Sequence, residues 1–283
     1  MFKFLLGGII CGIKCSDKNY LAYIHELFKD FESDKNYDFA INFKVIDGDG
    51  FNKKRHIIKK DGSYIEIMDV KKQRNTIYFN HSKLKGNFDL DKLKGSVTLF
   101  RIRDCVVHSE KIVILRDFIR TIFAFLLLRK GKLLVHSAGV FKKRKAFLFV
   151  GKATEGKSTI AKFCIEKGYN LLSDECVLIY KDKGRTIAAG TPLGPRWKLN
   201  NSATKLEKIF LIKKSRRLNT KELRKCEGIA KIQHNIFPNT LLDLKRFREH
   251  FAGVFLVSLD LLSDIPFYEL NNEKNDKFLR FLE

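Results

Sequence analysis

The chain has 283 residues, enough for one large domain or two modest ones with a full hydrophobic core. Hydrophobic residues at 45% and aromatic residues at 12% exclude a disordered chain, and 25 phenylalanines supply the core filler. The 55 Lys+Arg against 32 Asp+Glu give a net charge of +23, a field that selects acidic partners: nucleotide, acidic peptide, nucleic acid or anionic lipid.

Residues 1–13 are apolar apart from Lys3 and read as one buried strand, with Gly7-Gly8 marking a bulge or a close backbone approach. The run is short of the roughly 18 residues that a membrane span needs, and it carries no A-x-A-like cleavage site. A cytoplasmic protein without a membrane span is therefore expected. The six cysteines (11, 15, 105, 164, 176 and 226) show no C-x-x-C pattern and read as reduced thiols.

Asp17 or Ser16 caps an expected helix whose apolar set is Tyr20, Leu21, Ile24, Leu27, Phe28 and Phe31. Strands follow at Phe39–Ile46, 63–69 and 76–80, separated by turns such as Asp47-Gly48-Asp49-Gly50 and Asp61-Gly62. The aspartate-glycine turn lacks the later Glu of a calcium loop and reads as a hairpin turn. Residues 1–104 thus form an α+β domain without a catalytic constellation, and 105–283 form a second domain.

A helix over 112–129 is apolar on most faces, as expected of one buried between layers, and ends at Arg129-Lys130-Gly131. Residues 133–140 read as a strand joined by only Phe141-Lys142-Lys143-Arg144 to a second apolar run, Lys145–Val150. So short a connection demands an antiparallel hairpin. With its turn centred near Lys143, His136 pairs opposite Val150. A lone strand histidine is also an ordinary hydrogen-bonded core residue, but this pairing brings it to the mouth of the next segment.

That segment, Gly151-Lys152-Ala153-Thr154-Glu155-Gly156-Lys157-Ser158, fits G-x-x-x-x-G-K-[ST], the loop whose backbone N–H groups and lysine cradle a polyphosphate. A helix over 159–167 follows, with Gly168 where a C-terminal cap belongs. Strand, glycine loop and helix stand in the order that aims loop amides and the positive end of the helix at an anion. The candidate nucleotide contacts are Gly151, Thr154, Glu155, Gly156, Lys157, Ser158 and Thr159, with Lys157 reaching the terminal phosphates and Ser158 ligating Mg²⁺. An acid inside the cradle would repel phosphate, so Glu155 is expected to face solvent.

Beyond Gly168, Leu171-Leu172-Ser173-Asp174-Glu175 precedes another apolar run. Paired acids at a strand end beside the phosphates hold Mg²⁺ or take a proton from an attacking hydroxyl; without the upstream loop they would read as a solvated turn. A Pro/Gly loop at 190–199 carries Arg196, which is either a phosphate clamp or an exposed arginine. Residues 201–206 read as helix and 208–212 as a strand. The strand leads to Lys213-Lys214-Ser215-Arg216-Arg217, joined by Lys221, Arg224 and Lys225 in the densest basic cluster. Such a cluster is a solvated face or a site for an acidic peptide. Nucleic acid is disfavoured, because neither interleaved aromatics nor a recognition helix is visible. Residues 229–248 read as helices broken by Pro238, 266–270 as a last strand and 275–282 as a closing short helix.

His136-Ser137-Ala138-Gly139-Val140, the Gly151–Ser158 loop and Lys167-Gly168-Tyr169-Asn170-Leu171-Leu172-Ser173-Asp174-Glu175 together resemble the HPr kinase/phosphorylase superfamily. They are most similar to its shorter HPr-kinase-related members, serine kinases sharing a P-loop domain with phosphoenolpyruvate carboxykinase. The resemblance implies an α/β fold: a mixed-sheet P-loop kinase domain with a smaller N-terminal α+β region. It further implies ATP- and Mg²⁺-dependent transfer of a γ-phosphoryl group to a hydroxyl. Asp174, His136 and Lys157 would be the catalytic residues, Ser158, Asp174 and Glu175 the metal ligands, and Arg196 a substrate contact. The chain departs from the family pattern at Glu175, where relatives have Asp, and in Ala-Thr-Glu within the loop. It also lacks the substrate-side signature of true HPr kinases, which puts HPr itself in doubt as the substrate. The resemblance admits a protein or peptide serine, a ribosomal-peptide precursor, or free serine as the acceptor, and a homo-oligomer as the assembly. The rival readings are a nucleotide-dependent regulator or nucleic-acid binder, and a carboxykinase-type enzyme, the latter disfavoured by the absence of a second Lys/His pair for a second metal.

Overall fold

The computed structural model describes residues 1–48, 57–60, 63–66, 68–100, 110–152, 155–194, 201–238, 248–273 and 275–282. They divide into two compact units, Met1–Leu126 and Leu127–Glu283. Both are mixed α/β, each built on a mixed sheet.

In the first unit the N-terminal apolar run makes two strands rather than one. β1 (Phe2–Leu6) and β2 (Ile9–Cys15) pair antiparallel, and Gly7 and Gly8, at φ 59° and 76°, are the two-residue turn between them. Two successive positive φ angles suit the right-handed strand twist at a tight hairpin, so the glycines close a turn instead of making a bulge. α1 (Lys18–Phe28) starts where Asp17 Oδ1 accepts the Tyr20 N–H at 3.0 Å, and it buries Ile24, Leu27 and Phe28. β3 (Phe39–Ile46) lies where the alternation puts it. The strand expected at 63–69 is instead shared between β5 and β6. β4 (Ile57–Lys60) and β5 (Ser63–Glu66) form a separate ribbon, while β6 (Asp69–Gln73) joins the main sheet. That sheet is completed by β7 (Thr76–His81), β8 (Leu84–Asp89) and β9 (Lys94–Phe100) in the order β1-β2-β3-β9-β8-β7-β6. Asp49 and Gly50 of the first expected turn, and Asp61-Gly62, lie outside the described residues.

Phenylalanine fills this unit's core. Phe4 stacks on Phe28 with centroids 4.4 Å apart, Phe39 meets both Phe88 and Phe123 edge-on at 5.3 Å, and Phe118 meets Phe79 at 4.5 Å. Each such pair contributes about 0.5–1.5 kcal/mol beyond its buried area. Phe118 and Phe123 belong to α2 (Glu110–Arg129).

The second unit begins with the expected hairpin, β10 (Leu133–Lys142) and β11 (Lys145–Val150), turned by Lys143 and Arg144 at φ 48° and 62°. α3 (Lys157–Glu166) follows the loop and ends at Gly168, φ 79°, with the Tyr169 N–H on the Cys164 carbonyl. Next come β12 (Asn170–Ser173), β13 (Cys176–Asp182), β14 (Arg185–Ala189), β15 (Ala203–Lys214) and β16 (Asn219–Leu223). The chain continues through α4 (Lys225–Ile232), β17 (Ile236–Phe237), α5 (Arg248–Leu262), β18 (Phe267–Asn272) and a closing 3-10 turn, Asp276–Phe281. The sheet runs β11-β10-β13-β14-β15-β18-β16, with β12 and β17 also on β10 and β11 also on β15.

Two expectations fail here for one reason. Residues 201–206 are not helical: from Ala203 they belong to β15, held between β14 and β11, with Leu206 fully buried. In 229–248, α4 stops at Ile232 and the chain becomes strand β17 before Pro238 is reached; 239–247 lie outside the described residues. In both places pairing with distant strands overrides a weak helical pattern.

Strand alternation sorts the sheet's two faces. Ala138, Val140, Phe147, Phe149, Phe210, Ile212 and Leu270 pack against Ile160, Ala161 and Cys164 of α3 and against Phe278. Leu133, Val135, Leu148, Val150, Ile209 and Phe267 pack on the other face against Ile229 and Ile232 of α4 and Val254 and Leu261 of α5. Burial pushes the Cys164 thiol up to about 12, and the Cys11 thiol is likewise raised, so both stay protonated near neutrality. Among the described residues no helix is long and apolar enough to cross a membrane, which says nothing of strands.

Candidate active site

β10 is the hinge of the site because it is paired along both edges. At Ser137 one edge faces Val150, the last residue of β11, and on the other edge the Ser137 N–H donates to the Glu175 carbonyl at 3.1 Å. The sequence-based expectation set His136 opposite Val150, one residue away. The turn centres between Lys143 and Arg144, not on Lys143, and that half-step moves the partner to Ser137. His136 pairs with Cys176 instead. By alternation with Ala138 and Val140, its side chain lies on the α3 face, half-buried, with its ring perpendicular to that of Phe237 at 6.2 Å.

β12 and β13 are one line of chain along β10, interrupted by Asp174-Glu175. Ser173 shapes that interruption: its Oγ accepts the Glu175 N–H at 3.2 Å and the Cys176 N–H at 2.9 Å. A second turn, at 191–194, packs against it. Thr191 Oγ1 donates to the Cys176 carbonyl at 2.6 Å. At Gly194 a Cβ would sit 3.0 Å from Ser173 Oγ and 3.6 Å from Asp174 Oδ1, so the absent side chain is what permits the approach. The acid turn and Gly151 therefore flank β10 on opposite edges. Two strand spacings, with β10 between them, put their backbones about 10 Å apart.

On the loop side, Gly156 at φ 98° is the N-cap of α3, and among the described residues no side chain caps the helix. Lys157 is buried, and its ammonium donates to the carbonyls of Gly151 at 2.7 Å and Lys152 at 3.0 Å. Asn235 Nδ2 donates to the same Gly151 carbonyl at 3.3 Å. Ser158 and Thr159, the next two residues of the first turn, are exposed. Glu155 does not face solvent as expected. It folds back over Gly151, half-buried, and its Oε2 accepts the Lys152 N–H at 2.6 Å. A carboxylate within reach of a loop amide gains a charge-assisted hydrogen bond that an outward rotamer would forgo. Thr154 and Arg196 lie outside the described residues.

Once the Glu155 carboxylate swings off Gly151, this donor set fits a polyphosphate: a glycine at 151 whose missing side chain leaves room at the loop, a helix start on a glycine, and a lysine whose ammonium reaches the loop carbonyls. It also suits Mg²⁺, which keeps several waters and takes one or two protein oxygens beside those of phosphate. Ser158, Asp174 and Glu175 offer such oxygens. Among the described residues no group of three or more His, Cys, Asp or Glu side chains would hold a metal unaided.

Sequence reasoning missed Asn235, Ser173 and Gly194 as parts of the site. Ser173 has a local signal, a hydroxyl two residues before the N–H it accepts. Asn235 has none, since it reaches the loop from 84 positions away.

No protein-family model matches the chain, and no curated protein does. Among solved structures it is similar to the Hpr(Ser) kinase/phosphatase from Coxiella burnetii, at 10% identity and a TM-score of 0.32, over 53% of this chain and 92% of the other. At that TM-score the likeness carries no weight on activity.

Proposed function

We propose that this chain is an ATP-dependent, Mg²⁺-requiring serine kinase of the HPr-kinase-like kind, its kinase domain at 105–283, which phosphorylates a hydroxyl of a protein or peptide. The single observation that carries the reading is the pairing at Ser137: a phosphate-loop sequence leaves the sheet on one edge of β10, and an acid pair turns on the other. Bound Mg-ATP supplies the phosphoryl group with its charge spread over the metal. The chain does the rest. Lys157 exchanges two neutral carbonyls for phosphate oxygens, a stronger charge-assisted contact. The uncapped α3 start offers N–H groups to the same anion. Asp174 accepts the acceptor hydroxyl's proton as its oxygen bonds to phosphorus and the leaving ADP keeps the electron pair. Glu175 and Ser158 would hold the metal, and His136 would orient phosphate or acceptor on the α3 face.

The test is incubation with γ-labelled ATP, Mg²⁺ and candidate protein, peptide and free-serine acceptors, followed by location of the label. Asp174→Asn is expected to bind ATP normally and transfer about 10²–10⁴-fold more slowly. Undiminished transfer by that variant removes Asp174 as the base. Wild-type protein that fails to bind ATP ends the kinase reading.

A further inference from the structure

The sheet edge that carries the phosphate loop carries a second charged feature. β11, β15 and β18 run parallel, with Val150 beside Leu211, Ile212 beside Leu270 and Lys214 beside Asn272. Their C-terminal ends therefore emerge together, the place where open α/β sheets bind ligands. Contact there is close: a Cβ on Gly151 would lie 3.3 Å from the Ile212 carbonyl, and Lys214 is two residues further along β15. Alternation then assigns the faces. Phe210 and Ile212 of β15 and Leu270 of β18 pack on the α3 side, so Lys214 and Asn272 share that side with the helix start holding Lys157. Lys213 and Glu269 take the opposite side and pair with each other at 2.9 Å.

Lys214, Ser215, Arg216, Asn272 and Glu273 line an open depression of about 530 Å³. Among the described residues neither Lys214 nor Arg216 has an ion-pair partner. Glu273, the acid among the described lining residues, is engaged elsewhere: its oxygens accept the Leu218 N–H and an Asn275 Nδ2 hydrogen, each at 3.0 Å. Asn272 is 7% exposed and its Oδ1 is buried without a hydrogen-bond partner. A buried amide oxygen left unpaired costs stability, and the broad terminal torsion of Asn lets the group turn to serve a ligand.

We infer that Lys214, Arg216 and Asn272 form a subsite for an acidic segment of the acceptor polypeptide beside the phosphate loop, which rests on the kinase reading above. Two exposed cations recognise carboxylates, and a carboxamide complements a peptide group by accepting an N–H or donating to a C=O. Only a polypeptide offers carboxylates and backbone N–H groups together; inorganic phosphate offers mainly acceptors. Single-stranded oligonucleotides are typically gripped by stacking aromatics, and none of the described residues lining this depression is aromatic. An acidic segment held here would present a neighbouring serine to the β10 edge.

The experiment uses the full chain and a fluorescein-labelled Glu-Glu-Ser-Glu-Glu peptide, with Gln-Gln-Ser-Gln-Gln as the neutral control, read by anisotropy. The acidic peptide is expected to bind and the neutral one not. Lys214→Glu/Arg216→Glu should weaken binding about tenfold or more, whereas Lys183→Glu/Arg185→Glu, the same charge change on a distant turn, should leave it within about twofold. Asn272→Ala should weaken it a few-fold. Equal losses in both double variants would show attraction to net charge alone and overturn the subsite. So would displacement of the peptide by millimolar inorganic phosphate, or by an oligonucleotide whose own binding is lost in Lys214→Glu/Arg216→Glu. Circular dichroism checks the fold, and Lys214→Gln/Arg216→Gln replaces the charge reversals if they unfold the protein. ATP titration of the same variants keeps the two claims apart. Intact ATP binding with peptide binding blind to residues 214 and 216 sinks the subsite alone; peptide binding that obeys them without any ATP binding sinks the kinase reading alone.

Discussion

β2 runs into α1 in the first unit and β11 runs into α3 in the second, and the two helices start differently. Between β2 and α1 stand only Ser16 and Asp17, and the aspartate carboxylate caps the helix by taking the Tyr20 N–H. Between β11 and α3 stand six residues, 151–156, ending in a glycine with a positive φ and no capping side chain. A capped start satisfies one of its exposed amides from within the chain. An uncapped one, with a lysine and a serine in its first turn, leaves donors for an anion. Glu155, two residues before the second start, spends its carboxylate on a loop amide rather than on the helix. The difference teaches that the same strand-to-helix step can be closed by a side chain, as in one unit, or end on a glycine that has none to offer, as in the other.

The contrast is tested most severely at Lys157. Lys157→Ala is expected to lower ATP affinity or turnover by about 10²-fold or more, with the melting temperature nearly kept; isothermal titration beside a thermal melt checks both. Gly156→Ala comes next. Open space surrounds the new Cβ, but φ 98° suits only glycine, so about 1–2 kcal/mol of strain is expected. Denaturant melts should show that loss, and titration a weaker hold on ATP. Asp17→Ala, at the capped start, should cost about 1 kcal/mol and Asp17→Ser a few tenths, both with ATP binding unchanged. If Asp17→Ala instead weakened ATP binding, the two starts would not be separable in role. Glu155→Gln is the mildest. It keeps an acceptor for the Lys152 N–H but removes a negative charge from the cradle, so ATP should bind up to about tenfold more tightly. Weaker binding in that variant would make Glu155 a contributor to the cradle instead of a competitor for it.

Much of the second unit was legible because its decisive features are local. The tight β10–β11 hairpin, the glycine loop, the left-handed Gly168 cap and the Asp17 cap each depend on a few consecutive residues whose backbone preferences are strong. Features that failed to be legible depend on residues far apart. Residues 203–206 carry no strong strand signal of their own and become strand because β11 and β14 supply hydrogen bonds on both sides. His136 missed its place by a half-step of turn geometry, which a strand converts into a different partner. The first unit shows the same limit. Gly7-Gly8 announces a backbone that ordinary residues avoid, but only the pairing of Phe2 with Ile13 makes it a hairpin rather than a bulge.

By itself, then, the order of residues determined a strand, a glycine-containing loop and a helix in succession, an acid pair after them, and an excess of positive charge. Tertiary structure alone decided that Glu175 and Val150 meet the same strand residue from opposite edges, that Asn235 braces the loop, and that Lys214 lies beside it on the α3 face. The physical reason is that backbone preference acts over a turn or two, whereas sheet register is a pairing energy summed over strands that can lie tens of residues apart.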